Sequence, residues 1–307
     1  MNNQYEFTVF TPCYNSEKFI YRAFQSLNNQ TFKDFEWLVI DDFSSDGTKE
    51  IISGLQRTSE LKINFICNEE NKMLAYNSNL AVQQAKGKFF LFLGHDDELV
   101  SNALERFFQV WKSIPDTKKK NLVGMMSNCK DEHGNFVDDE LPEPPMITDF
   151  YNLYYNLGIK GEKFFCYLTN LMKEKNFSVI DKYVPENVML LGLSDQYDTY
   201  FFNENLRIYH RGHDSFTNDL ESISRIKYPL GMRYAKLEDI NRRTDKMIYQ
   251  PALFLKTVVN YIRFGKHAEI FFRHTIRDIH NPLVKSLAIL LSPIAIILYF
   301  RDRTKLK

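Results

Sequence analysis

The sequence holds four cysteines in 307 residues, Cys13, Cys67, Cys129 and Cys166. None belongs to a C-x-x-C pair, and no histidine stands at zinc-finger spacing from them. That argues against a disulfide framework or a structural zinc and for reduced thiols in a cytosolic compartment. The chain also lacks a GxxxxGK[ST] phosphate loop and a GxGxxG turn. Kinase, ATPase and nicotinamide-dehydrogenase chemistry therefore lose their main sequence support. No GxSxG elbow is present, so serine hydrolysis has no anchor either. The N-terminus shows no basic region followed by an apolar stretch, and a signal peptide is not expected. Internal repeats and low-complexity tracts are absent.

What is present is the composition of a globular protein. Hydrophobic residues make up 44% and charged residues 25%, enough to bury a core, and 307 residues allow about two domains. Aromatics reach 15%, so rings are available for a core or a binding site. The net charge is +0 but unevenly spread: residues 241–307 carry 13 Lys and Arg against 4 Asp and Glu. An acidic body with a basic tail predicts an anionic partner at the C-terminal end.

Short apolar runs alternate with helical patterns. Residues 6–11, 35–41, 62–67 and 88–93 read as strands. Between them lie helices marked by Phe19, Ile20, Ala23, Phe24 and Leu27, by Ile51, Ile52 and Leu55, and by Leu74, Leu80, Ala81 and Ala85. Asn15 or Ser16 is expected to cap the first helix, Ser45-Asp46-Gly47 the second, and Lys86-Gly87 to stop the third. Leu104, Phe107, Phe108 and Trp111 mark a fourth helix. Such alternation predicts an α/β fold, a mainly parallel sheet covered on both faces. Beyond residue 120 the pattern loosens. Residues 138–145 read as a mobile acidic, proline-rich loop, 162–175 as a helix, and the chain from about 226 as mostly helical.

Asp41-Asp42 and Asp96-Asp97 fall where the second and fourth strands end, which is where open α/β sheets bind ligands. Paired carboxylates at a buried strand end need a cation, a proton or water. Asp96-Asp97 is thus a candidate for Mg2+ or Mn2+, which commonly bind one or two carboxylates plus phosphate oxygens. The competing structural reading is that one of the pair caps the helix starting near Ser101. Asp42 to Gly47 superficially resembles a calcium loop, but Ser53 stands where its bidentate glutamate belongs.

Taken together, Thr11-Pro12-Cys13-Tyr14-Asn15-Ser16-Glu17, Val39-Ile40-Asp41-Asp42-Phe43-Ser44-Ser45-Asp46-Gly47-Thr48 and Gly94-His95-Asp96-Asp97 resemble the family 2 glycosyltransferases. Gln30-Thr31-Phe32 and Ala75-Tyr76-Asn77 fit as well. The likeness covers residues 5–115 well and is looser to about 220. It implies the A-type glycosyltransferase fold and transfer of a sugar, with inversion, from a nucleotide diphosphate sugar, usually with Mn2+ or Mg2+. By resemblance, Pro12, Tyr14, Glu17 and Asp42, with Asp41 beside it, form the nucleoside pocket, and Asn77 lies at the donor site. Asp96 matches the metal-binding aspartate of the family's DxD element, and Asp97 follows it. The first Asp of that element is Gly94 here and its middle residue His95. The family's arginine before Asn77 is Tyr76, so Lys72 is the candidate to meet the diphosphate charge.

An inverting transfer needs a carboxylate near the acceptor hydroxyl. In the family that acid lies about 17 residues before a segment matched here by Asn203-Glu204-Asn205-Leu206-Arg207-Ile208-Tyr209, which lands on Glu186. Glu186 is the expected base and Asp195 the reserve; the bland alternative is that Glu186 only charges a helix N-terminus. Arg211 could neutralise the leaving diphosphate, and His213 could ligate the metal.

Residues 287–300 are almost wholly apolar, but fewer than the roughly 20 that a span needs, and Pro293 interrupts them. Lys285 precedes them and Arg301, Arg303, Lys305 and Lys307 follow. A helix lying at the anionic inner face of the cell membrane fits this pattern, with a buried C-terminal helix as the alternative. The expected organisation is a nucleotide-sugar half over 1–120, an acceptor half over 121–225 and a basic, membrane-associating helical region over 226–307. The expected partners are the sugar donor, a lipid-linked saccharide acceptor and the membrane, with no nucleic acid. A catalytically inactive relative serving as an assembly partner is the rival reading, kept open by Gly94. A nucleotidyltransferase is a second, but its glycine-rich phosphate loop is missing.

Overall fold

The structure, a computed structural model, describes residues 4–137, 139–159, 161–185, 187–210, 225–242, 244 and 248–305. Two compact units are present: Met1–Asn176 with Met189–Arg211, and Phe177–Val188 with Gly212–Lys307. In the first, β1 (Tyr5–Cys13), α1 (Ile20–Asn28), β2 (Phe35–Asp41), α2 (Thr48–Thr58), β3 (Ile63–Cys67), α3 (Met73–Gln84) and β4 (Gly87–Phe92) alternate as the apolar runs predict. Then come β5 (Glu98–Leu99), α4 (Ala103–Ser113), α5 (Asp116–Lys119), β6 (Leu122–Asp131), β7 (Met146–Thr148), β8 (Lys163–Leu168), α6 (Thr169–Lys173), α7 (Asn187–Ser194) and β9 (Asp198–Tyr209).

The strands form one sheet in the order β3-β2-β1-β4-β8-β6-β9-β5, with β7 added to β9. β1 to β4 are mutually parallel; β8 is antiparallel to both β4 and β6; β9 runs parallel to β6. The carboxyl ends of β1, β2, β4, β6 and β9 therefore share one edge. Every residue of β2 is buried, as expected of a continuous apolar strand in a sheet covered on both faces. On α1, Ile20, Ala23, Phe24 and Leu27 are buried at helical spacing. Through this core Phe7 stacks on Phe89, and Phe89 meets Trp111 edge to face.

Several local expectations are corrected. Residues 162–175 do not form one helix: Lys163–Leu168 is β8, and only Thr169–Lys173 is helical. Slots between β4 and β6 bury Phe164 and Cys166 on one face and Tyr167 on the other, so sheet pairing overrides the helical pattern. Neither Asn15 nor Ser16 caps α1, whose N-cap Phe19 has no side-chain cap bond. Gly87 does not close α3 but begins β4, where a Cβ would lie 2.3 Å from the β1 backbone at Phe7 and Thr8. Neither Asp96 nor Asp97 caps α4: its N-cap is Asn102, and the Gln30 side chain accepts the Leu104 N–H. The described part of 138–145 is a loop, as expected, in which Leu141 bonds the Asn203 amide through both its N–H and its carbonyl at 3.0 Å. All four cysteines are free thiols, as expected.

The second unit is helical: α8 (Pro229–Arg242), α9 (Pro251–His267), α10 (Phe272–Arg277) and α11 (Pro282–Lys305). Its core gathers Ile240, Val258, Tyr261, Ile262, Ile279 and Ala288. Within it Asp239 is buried, and burial pushes its carboxyl up to about 6 although Lys236 Nζ lies 3.7 Å away.

A folded value above the ordinary carboxylate value of about 3.9 means that this group favours folding in acid. That contribution is lost as pH rises through 6. Asp239→Asn is expected to raise the melting temperature at pH 7.5 and leave it nearly unchanged at pH 4. Thermal denaturation followed by circular dichroism checks this, and a variant less stable at both pH values contradicts it.

Candidate functional site

The parallel register sets Cys13 opposite Asp41 and Phe10 opposite Phe92. The loops after β1, β2 and β4 are therefore neighbours on the sheet's carboxyl edge. Pairing of β1 with β4 stops at Phe10, so Pro12 lies where β1 has β2 alone beside it. A proline, which offers no N–H, is tolerated there. Asn15, Phe43 and Met73 take left-handed φ values of 51°, 66° and 66° around this edge. Such positions cost of order 1–3 kcal/mol each and concentrate at functional sites.

Asp42, 5% exposed, uses most of its carboxylate on its own chain. Oδ1 accepts the Asn68 amide and the Lys72 N–H, both at 2.8 Å, and Oδ2 accepts the Met73 N–H at 2.8 Å. It thereby caps α3 from another element, where a negative charge suits the helix dipole. A carboxylate has about four acceptor positions, so one is left for a ligand. Asn77 is buried and accepts from Asn68 at 2.7 Å, so it holds the amide that holds Asp42. Asp41 is committed differently: its two oxygens accept the N–H and hydroxyl of Ser44, which shapes the turn after β2.

Glu17 accepts the Gly47 N–H at 2.7 Å and Asn15 accepts the Ser45 N–H at 2.9 Å, which lace the β1 loop to the β2 loop. Asp46 caps α2 by accepting the Thr48 N–H and hydroxyl. Three rings stand out from this framework, Tyr14 at 53%, Phe43 at 57% and Tyr76 at 41% exposed. The Lys72 ammonium lies 5.7 Å over the Tyr76 ring and pairs with Glu70. The Cys13 thiol is no nucleophile: burial, with Asp41 beside it, pushes its pKa well above the ordinary range.

Beyond β4, Gly94 makes room for the acidic pair. A Cβ on it would lie 2.8 Å from Asp96 Oδ1 and 3.0 Å from Asp97 Oδ2, so both carboxylates converge over the bare glycine. Asp97 is buried, and burial pushes its carboxyl up to about 6 against the pull of Arg207. Arg207 Nε stands 3.5 Å from Asp97 Oδ2, and the His210 N–H donates to Asp97 Oδ1 at 3.2 Å. Asp96 is half-buried; its carbonyl accepts Arg22 Nη1 at 2.7 Å. Arg22 Nε also lies 3.7 Å from Glu98, which meets His210 Nε2 at 2.7 Å. Among the described residues no three Asp, Glu, His or Cys side chains form a ready-made metal cluster. The donor set suits a cation that brings phosphate oxygens with it, held chiefly by Asp96.

Glu186, Arg211 and His213 lie outside the described residues. Asp195 is exposed, just past the end of α7. Sequence reasoning missed Arg22, Asn68, Glu98 and Arg207. Arg207 stood inside the Asn203–Tyr209 segment already singled out, and a basic residue opposite an acidic strand end was the available signal.

The model of glycosyl transferase family 2 matches residues 8–173. A Campylobacter jejuni GalNAc(5)-diNAcBac-PP-undecaprenol beta-1,3-glucosyltransferase is 27% identical over 95% of this chain and 91% of its own. An Escherichia coli UDP-Glc:alpha-D-GlcNAc-diphosphoundecaprenol beta-1,3-glucosyltransferase, WfgD, is 31% identical over 51% of this chain and 58% of its own. Staphylococcus aureus TarS 1–349 with UDP-GlcNAc superposes with a TM-score of 0.60 at 18% identity, over 96% of this chain and 92% of that one. A Pyrobaculum calidifontis mannosyltransferase with GDP-Man and Mn2+ gives 0.58 at 16%, over 98% and 83%. These structures share the fold, the A-type glycosyltransferase fold.

Asp42→Asn places an amide hydrogen where the protein offers only donors. It is expected to cost about 1–3 kcal/mol, read as a fall in the urea midpoint; an unchanged midpoint contradicts the capping role. Gly94→Ala pushes two flexible carboxylates apart, so the melting temperature should hold while Mn2+-dependent nucleotide affinity, by calorimetry, falls about ten-fold, roughly 1.4 kcal/mol. Equal affinity contradicts the convergence.

Proposed function

The chain belongs to glycosyltransferase family 2, and we propose that it moves a sugar from a nucleotide diphosphate donor to a hydroxyl of a lipid-linked saccharide, with inversion, in cell-surface polysaccharide synthesis. The observation that carries this is the gathering of Asp42, Asp96 and Asp97 on one sheet edge beside exposed rings. Tyr14, near Pro12 in sequence, offers a face for the base, while the last acceptor position of Asp42 takes a base or ribose donor. Asp41, Glu17 and Asn77 serve the nucleoside pocket by fixing its loops. Lys72 and Arg211 meet diphosphate charge.

Asp96, with Asp97 beside it and His213 as a further ligand, would hold Mn2+ or Mg2+ on the diphosphate. Bound there, the ion neutralises charge on the leaving group. Arg207 keeps Asp97 in place, and Arg22 fixes the backbone at Asp96. The acceptor oxygen forms its bond to the anomeric carbon from the face opposite the diphosphate. The bond from that carbon to the diphosphate oxygen breaks, and its electron pair leaves with the nucleoside diphosphate. The hydroxyl proton passes to Glu186, or to Asp195 in its place.

The substrate class is supported by the undecaprenol-linked glucosyltransferases to which the chain is similar. Transfer of a hexosyl or N-acetylhexosaminyl group fits their kind. Such an acceptor puts the enzyme at the inner face of the cell membrane, in peripheral contact with anionic lipid. Gly94 kept open an inactive relative, but the space it leaves is taken up by the two carboxylates on which the proposed reaction rests.

Asp96→Ala is expected to reduce transfer by about 10³-fold or more, of order 4 kcal/mol in the barrier, with an unchanged melting temperature. Glu186→Gln should do likewise while donor binding persists. A donor-sugar release assay over nucleotide sugars decides it. Full turnover in Asp96→Ala contradicts the site; full turnover in Glu186→Gln with loss in Asp195→Asn moves the base to Asp195.

A further inference from the structure

Among the described residues, one helix has the length and composition to cross a bilayer, Pro282–Thr304; its most apolar 18-residue stretch has a mean hydropathy of 2.2 and little of that stretch is buried. Its two sides differ in what they meet. Val284, Ala288, Ala295 and Asp302 are buried, and Leu287, Leu291 and Leu298 pack against the unit's core. The opposite side is apolar and open: Leu283 at 72%, Leu290 at 74%, Ile297 at 67%, with Ile289, Ile294 and Phe300 also exposed. At an advance of about 100° per residue these form a continuous strip along the helix.

The inner side is locked by charge. Asp302, 5% exposed, accepts Arg263 Nε at 2.6 Å and Nη2 at 2.5 Å, and meets His267 Nε2 at 2.8 Å. Arg263 and His267 hold the carboxyl below its usual range, a sign that the charged form is the bound one. α11 is thus fastened to α9 by apolar contacts and by a bidentate ion pair near its C-terminal end. α9 itself carries Lys256, Asn260, Arg263 and Lys266, which bar it from hydrocarbon. A helix bound along α9 cannot thread a bilayer without stripping that contact.

We propose that α11 lies in the plane of an anionic membrane, its outer strip sunk among the acyl chains while its inner side stays on α9. This rests on the membrane-contact reading above and gives it a face and an orientation. Charge complementarity names the occupant. Lys285 and Arg303 flank one border of the strip and Arg301 falls at its far end, placed to reach lipid phosphates along their stems. Lys266 adds to them, facing Tyr299 on the same side as Arg303. Phe271 at 70% and Phe272 at 44% exposed extend the apolar surface through the groove they share with Ile296 and Tyr299.

The test uses the full chain and vesicles of phosphatidylcholine with or without phosphatidylglycerol. Wild type should sediment with the anionic vesicles and much less with the neutral ones. Leu290→Asp with Ile297→Asp should weaken partition at least about ten-fold, with unchanged circular dichroism and unchanged transfer to a soluble acceptor. In a Cys67→Ser background, His280→Cys and Thr304→Cys should both react with an impermeant maleimide added outside the vesicles. Protection of one end alone means a span and overturns the proposal. Undiminished sedimentation of the double variant overturns the face while leaving membrane contact standing. No sedimentation of wild type removes the membrane-contact reading and this proposal with it. A wild-type dimer in lipid-free solution that the double variant dissolves assigns the strip to a second copy and overturns the lipid occupant.

Discussion

Parallel pairing of β1 with β2 on one side and β4 on the other is the constraint on which the site depends. It sends three chain segments out of the same edge of the sheet, and two of them end in aspartates. Antiparallel pairing would put those ends on opposite edges, and no cleft with this chemistry could form. The cost of burying β1, β2 and β4 between helices is met by apolar side chains, and the polar ones inside the strands are bonded, as where the Thr8 hydroxyl donates to Glu36 at 2.7 Å. Asp42 and Asp96 follow beyond the strand ends.

The aspartates at that edge are not equivalent, and hydrogen-bond capacity separates them. Asp41 is spent on its own turn. Asp42 is spent mostly on the N-terminus of α3 and keeps one acceptor position. Arg207 sets the place of Asp97 and favours its charge, while burial raises the cost of that charge. Asp96 is the half-buried member, and its carboxylate leans over Gly94 toward that of Asp97. In the proposed reaction a divalent ion bound with the diphosphate would offset both the burial cost of the Asp97 charge and the repulsion within the pair. The departure from an Asp-x-Asp pattern at Gly94 therefore gives space to the remaining acids.

Much of this was legible in the sequence. The first four strands and the helices between them follow from apolar periodicity, and the strand-end position of Asp42 and Asp96 follows from those strands. What stayed hidden was set by distant partners. β8 reads as a helix because Phe164, Phe165, Tyr167 and Leu168 suit a helical face, and only the slot between β4 and β6 decides otherwise. Asn77 also accepts from Asn68, a relation that no spacing rule encodes. Arg207 and Arg22 are more than 70 positions from the residues they steady, and one chain gives no signal for such pairs.

The second unit follows the same logic at its surface. One side of α11 is closed by the Asp302 ion pair, and the other is left apolar between basic residues. In both units buried acids are held by basic partners, Asp97 by Arg207 and Asp302 by Arg263, and on α11 an exposed apolar strip runs between basic residues. The central claim, that strand-end carboxylates grip a cation together with a nucleoside diphosphate, is tested most directly by electron paramagnetic resonance of Mn2+ with the full chain. One Mn2+ should become immobilised on addition of the preferred nucleoside diphosphate and stay largely free without it. Free Mn2+ in the presence of every nucleoside diphosphate would contradict the account.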